Sequence, residues 1–226
     1  MDILGATQNV SSPLQQRDYV LIIDKSGSMN KRDMPNGQSR WKAVEESTYA
    51  IAAKIFELDP DGIDIWLFAN DCQVFRNQTP DKVEQIFKEN EPFGGTKMAE
   101  VLQKALDSYF SKRDSGKLKM NGELLLVVTD GEPDNQGEVV RVLVNASQRL
   151  RPQDHLVVNF VPVGNDAGAM QFMKYLDTEL TAKEGAVRDI VEVVKMNEIE
   201  QQGLKQALLN TIAKTSQTSH RYMQTV

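Results

Sequence analysis

Asp24, Ser26 and Ser28 lie within five residues in the stretch "DKSGS", Thr96 follows a glycine pair in "GGT", and Asp130 stands in "TDGE". All five side chains offer oxygen. Two carboxylates brought together without a cation repel, so that one must take up a proton at neutral pH. A divalent ion between them removes that conflict. No histidine lies beside these segments and Cys72 is unrelated to them, so the donors suit Mg²⁺ or Mn²⁺, with Ca²⁺ also possible, better than zinc or copper. Hydroxyls are weak, neutral ligands. An ion relying on Ser26, Ser28 and Thr96 stays partly uncompensated and open to an anionic ligand from outside.

The elements that must position these groups follow from hydrophobic periodicity. Tyr19 to Ile23 is continuously apolar, as in a strand covered on both faces, and Asp24 ends it. Leu124 to Val128 repeats the pattern and ends on Thr129 and Asp130. Strand-like runs at 63–68, 72–75, 155–163 and 188–195 alternate with helical spacing at 40–58, from 79 or 80 to about 90, at 98–109, 139–150, 167–180 and about 198–215. Such alternation predicts βαβ units. The expected fold is α/β: a Rossmann-like, doubly wound, mainly parallel sheet with helices on both faces. Three residues between the runs at 63–68 and 72–75 allow only a hairpin, hence one short antiparallel edge strand. Parallel strands share one carboxyl edge, where ligand sites gather. Asp24, Ser26, Ser28, Thr96 and Asp130 all fall there.

Composition narrows the function further. With 26 Lys plus Arg against 32 Asp plus Glu, the formal charge is -6, which disfavours nucleic acid and anionic membranes as partners. The opening residues show no basic, apolar leader pattern, so a cytoplasmic setting is expected. A single cysteine, Cys72, has no disulfide partner and is expected to act as a small hydrophobe. Residues 1–17 and 216–226 lack a periodic core face and are expected to be flexible segments flanking one domain at 18–215.

"DKSGS", the Thr96 of "GGT" and the Asp130 of "TDGE", in that order and on those loops, resemble the von Willebrand factor A domain and its metal-ion-dependent adhesion site. The resemblance spans about residues 18 to 214 and fills every motif position. It implies that Ser26 and Ser28 bind the ion directly, that Asp24 acts mainly through water, and that Thr96 and Asp130 alternate between direct and water-mediated contact. It further implies a protein partner whose Asp or Glu completes the coordination, and a last helix, here about 198–215, that moves on engagement. "IDKSGSM" with a long insert ending in "SRW" looks like stand-alone intracellular bacterial members.

Blander readings stand beside this one. Ser, Thr and Asp also cap helices and make turns, and Thr96 is placed to cap the helix at 98. Glu132 and Asp134 are expected in a solvated turn, with a place near the ion or against a basic rim of the partner as the alternative, Gly94 and Gly95 to let the Thr96 loop approach the ion, and Trp41 and Trp66 to be core. The segment 30–41 borders the site and is a candidate for partner choice. As an enzyme, a haloacid-dehalogenase-type phosphatase would need a second Asp where Ser26 stands, and a serine hydrolase would need a base. The two histidines are His155, expected at the opposite sheet edge, and His220 in the tail. No catalytic residues are assigned, and the remaining alternative is a structural subunit stabilised by its ion.

Overall fold

Seven residues from Asp18 to Asp24 form β1, and all but the first are buried, because the strand is covered on both faces. It pairs in parallel with β2 (Ile63–Phe68) on one side and β4 (Glu123–Thr129) on the other. The computed structural model describes residues 12–195 together with residues 206, 207 and 210. Within them β3 (Cys72–Gln78), β5 (Leu156–Pro162) and β6 (Val191–Val193) complete a six-stranded sheet of order β3-β2-β1-β4-β5-β6. Every pairing is parallel except β2 with β3.

The connections are helical: α1 (Arg40–Phe56), α2 (Pro80–Lys88), α3 (Met98–Asp114), α4 (Gln136–Arg149) and α5 (Ala167–Lys183). Alternate strand residues feed two cores. Val20, Ile22, Leu125, Val127 and Phe160 pack with α3, α4 and α5, whereas Leu21, Ile23, Leu124, Leu126 and Val161 pack with α1 and α2. Helices therefore cover both faces, and the expected α/β architecture holds. Trp41 and Trp66 are buried in these cores. Cys72 is half-buried at the edge of the α3–α5 side, and burial raises its thiol pKa. No helix among the described residues is long and apolar enough to cross a membrane.

Two expectations change. The antiparallel edge strand runs to Gln78 and is as long as β1, because Asn77 at φ 52° and a register shift opposite Ile63 and Ile65 form an irregularity that lets pairing continue past Phe75. Residues 12–17 fall in the segment expected to be flexible, yet Leu14 is fully buried and its carbonyl accepts from the Tyr19 hydroxyl at 2.6 Å. Of the helix expected at about 198–215 only residues 206, 207 and 210 are described, and they are helical; the rest of it, the chain before residue 12 and the tail with His220 lie outside the described residues.

Candidate metal centre

β1 and β4 are neighbours from which the chain winds outward in opposite directions, so their carboxyl ends flank the topological switch point of the sheet. Asp24 ends β1 and Asp130 immediately follows β4. Both side chains are almost completely removed from solvent, at 0% and 1% relative exposure. Between β1 and α1 the chain makes a short 3₁₀ turn, Gly27–Asn30, with Ser26 at its start. That turn brings the two serines back over the strand end.

The contacts form one continuous chain. Asp24 accepts from the Thr129 hydroxyl at 2.7 Å through one oxygen and from the Ser26 amide at 2.7 Å through the other. Ser26 Oγ lies 2.9 Å from Ser28 Oγ, and Ser28 Oγ donates to Asp130 Oδ1 at 2.7 Å. Asp24, Ser26, Ser28 and Asp130 are thus brought together as a single polar cluster. The Asp24 to Ser26 amide bond is turn chemistry of the kind the bland reading anticipated. The serine hydroxyl pair is not, since Ser26 makes no side-chain cap bond to the 3₁₀ turn.

The loop that carries Thr96 is tied to the serine turn through its backbone. Phe93 N donates to the Lys25 carbonyl at 2.8 Å, and Gly27 N donates to the Gly94 carbonyl at 3.0 Å, which sews residues 92–96 to the serine turn. Gly94 has φ +95°, and a Cβ there would come within 2.9 Å of the Asn70 side chain, so this backbone approach requires glycine. Asn70 Oδ1 accepts from Gly95 N at 2.9 Å. From the far side Asp134 accepts from the Thr96 amide at 3.0 Å and donates its own amide to the Thr96 carbonyl at 3.0 Å. Thr96 is 7% exposed, and the cap position of α3 is Lys97, with no side-chain cap bond. Capping therefore does not account for Thr96. Asp134 is exposed in a bend after β4, as expected of a solvated turn residue, and in addition it holds Thr96 from 38 positions away.

The participants that sequence reading missed are Thr129, Asn70 and above all Arg40. The Arg40 guanidinium donates to Asp130 Oδ2 at 2.9 Å through Nη1, and to Asp33 at 2.9 Å through Nε and 2.5 Å through Nη2. It is 4% exposed at the first residue of α1. One signal was available. Cations are unfavourable at a helix N-terminus, yet this first turn carries Arg40 and Lys42 and no acid, so a specific partner for one of them was to be sought.

The electrostatics suit a cation. Burial pushes the Asp24 carboxyl up to about 6, against the hydrogen bonds from Thr129 and Ser26 that lower it. The hydrogen bond from Arg40 holds Asp33 below its ordinary value, and Asp33 in turn raises Arg40. Among the described residues no three His, Cys, Asp or Glu side chains gather as a ligand cluster. An ion here has to be held by two carboxylates with hydroxyls and water. Buried hard-oxygen donors of that kind fit Mg²⁺ or Mn²⁺.

Comparison with known proteins places this arrangement in context. The sequence model of the von Willebrand factor type A domain matches residues 19–132, just over half of the chain, and that of Copine matches residues 77–224. No curated protein matches the chain. Among solved structures it is similar to the manganese-loaded TRAP protein of Plasmodium vivax, at 17% identity and TM-score 0.55, over 82% of this chain and 70% of that one. It is also similar to the D319A mutant of the PilB minor pilin from Streptococcus sanguinis, at 12% identity and TM-score 0.58, over 97% of this chain and 65% of that one. The chain thus spans less than two thirds of the pilin. Likenesses at these identities show the fold alone.

Proposed function

The chain belongs to the von Willebrand factor type A domain family, with the Copine model matching residues 77–224, and from that premise we propose that it is a metal-dependent protein-interaction module. Domains of this family serve generally as interaction modules. In this reading Ser26 and Ser28 ligate Mg²⁺ or Mn²⁺ directly, Asp24 holds the ion mainly through water, and Thr96 and Asp130 complete the set according to conformation. The ion supplies an electrophilic position that a partner's Asp or Glu fills, and residues 18–215 make up the module. The observation that carries the reading is the pair of serine hydroxyls, 2.9 Å apart between two buried carboxylates at a switch point. A solved structure of the same fold, the TRAP protein, is described as manganese-loaded.

The chain's own residues prepare the site. Thr129 and the Ser26 amide orient Asp24, Ser28 orients Asp130, and the Asn70 and Asp134 contacts fix the Thr96 loop. Catalysis is not part of the proposal. The serine hydroxyls bond to each other and to Asp130 rather than to an imidazole, and His155 precedes β5 at the amino edge of the sheet. An intracellular bacterial setting belongs to the same proposal, on the resemblance of "IDKSGSM" and "SRW".

Titration calorimetry of EDTA-treated protein with Mg²⁺, Mn²⁺ and Ca²⁺, repeated on the Ser26→Ala, Ser28→Ala double variant, tests the site. Binding by the wild type that disappears in the variant supports it; no binding of any ion by the wild type overturns it. Capture of an acidic partner that is abolished by EDTA separates the interaction module from a merely stabilising ion, whose removal would lower melting temperature alone.

A further inference from the structure

Both oxygens of Asp130 are engaged within the protein, Oδ1 by Ser28 and Oδ2 by Arg40. The guanidinium is a fixed part of the site. Asp33 grips it from the other end through two bonds, and Gly164, at φ +75°, leaves the space it occupies. A Cβ on Gly164 would come within 2.6 Å of Arg40 Nε. A bidentate grip on one carboxylate and a third charged contact on another leave this cation little freedom to withdraw.

We propose that Arg40 is a positioning residue that makes cation binding and carboxylate binding at this centre interdependent. The inference rests on the metal-dependent reading above and adds the source of its cooperativity. Arg40, shared between Asp130 and Asp33, opposes an incoming divalent ion, so the two buried carboxylates hold that ion less tightly than they would without this neighbouring positive charge. Repulsion from that charge is strong where water is excluded. An external carboxylate offsets it. Ion and carboxylate therefore bind better together than either does alone, and by linkage each tightens the other by the same factor. Asp33, whose side chain is 44% exposed on the loop before α1, connects the surface beside the centre to this arrangement.

The test is Mn²⁺ titration of the full chain, with and without saturating acetate as the carboxylate probe. For the wild type acetate tightens Mn²⁺ binding. In Arg40→Met, which keeps the side chain long and removes the charge, Mn²⁺ alone binds on the order of tenfold tighter and the acetate effect shrinks. A merely structural role for Arg40 predicts the reverse, weaker Mn²⁺ binding through a misplaced Asp130. Asp33→Asn provides a second handle, because it releases one end of the guanidinium. Free to withdraw, the guanidinium repels the ion less, so Mn²⁺ binding tightens in the wild-type background and is unchanged in the Arg40→Met background, whereas a direct field effect of Asp33 would weaken it in both. If Arg40→Met does not fold, a Mn²⁺ affinity unchanged by Asp33→Asn in the wild-type background overturns the proposal on its own. Mn²⁺ binding that is lost in the double serine variant but no tighter in folded Arg40→Met overturns this inference and leaves the metal centre standing. Absence of Mn²⁺ binding by the wild type overturns both.

Discussion

Asp134 and Thr96 hold each other by two reciprocal hydrogen bonds: the Asp134 side-chain carboxylate accepts the Thr96 amide and the Thr96 carbonyl accepts the Asp134 amide, each at 3.0 Å. A turn after β4 thereby fixes the loop before α3. Asp134→Ala removes the charged half of this clamp, which is worth about 1 kcal/mol at an exposed position. The expected outcome is a melting temperature lower by about 3 °C and Mn²⁺ affinity weakened several-fold, read by calorimetry. An unchanged Mn²⁺ affinity in a destabilised protein would show that the Thr96 loop does not depend on the clamp.

Phe93 is 80% exposed, and its amide is tied to the Lys25 carbonyl beside the serine turn. An aromatic side chain held in water next to the centre is a ready anchor for a partner. Phe93→Ala is expected to weaken EDTA-sensitive capture of an acidic partner by tenfold or more, about 1.4 kcal/mol, while Mn²⁺ affinity and melting temperature stay at wild-type values. Partner affinity unaffected by the change would remove Phe93 from the docking surface.

Glu123 opens β4 and is 1% exposed, with Lys112 at 2.6 Å. Burial raises its pKa, and the nearby Lys112 cation only partly opposes this. A raised acid pKa means that the folded state holds the proton more tightly than the unfolded chain does. The resulting stability is full below about pH 4.5 and is lost as pH rises through the folded value. Glu123→Gln removes that loss, and Lys112 keeps Asp18 at 3.6 Å, so no stranded buried cation results. The variant should melt on the order of 2 °C higher than wild type at pH 7, with the difference closing toward pH 4. A variant less stable than wild type at pH 7 would mean that the ion pair outweighs desolvation.

Tyr109 is fully buried in the α3–α5 core, and its hydroxyl has no hydrogen-bond partner among the described residues. A buried unpaired hydroxyl is costly. Tyr109→Phe keeps the ring and its edge contact with Phe110 and should raise stability by about 1 kcal/mol in urea denaturation. A loss of stability would show that the hydroxyl is satisfied by water.

Element identity was readable in the chain itself. The apolar runs of β1 and β4, the helical spacing of Trp41, Val44, Thr48, Ile51 and Ile55, and the three-residue gap before β3 specify strands, helix and hairpin locally, because side-chain direction repeats every 2 or 3.6 residues. The five oxygen-bearing candidates could be named for the same reason: the end of a parallel strand fixes which edge of the sheet its next residues occupy. Strand order, the length of β3 and the packing of Leu14 were decided by contacts that no local pattern encodes.

The partners of those candidates were likewise a tertiary matter. Thr129 reaches Asp24 across 105 positions, Ser28 reaches Asp130 across 102, Arg40 reaches Asp130 across 90 and Asp134 reaches Thr96 across 38. Each residue alone reads as a cap, a turn or a solvated charge. The sequence by itself determined an α/β chain with hard oxygens at one sheet edge, since periodicity and strand polarity are local properties. Only the folded sheet decided that a buried arginine compensates one of the two carboxylates, because that requires the start of α1 and the end of β4 to meet over a glycine at the end of β5.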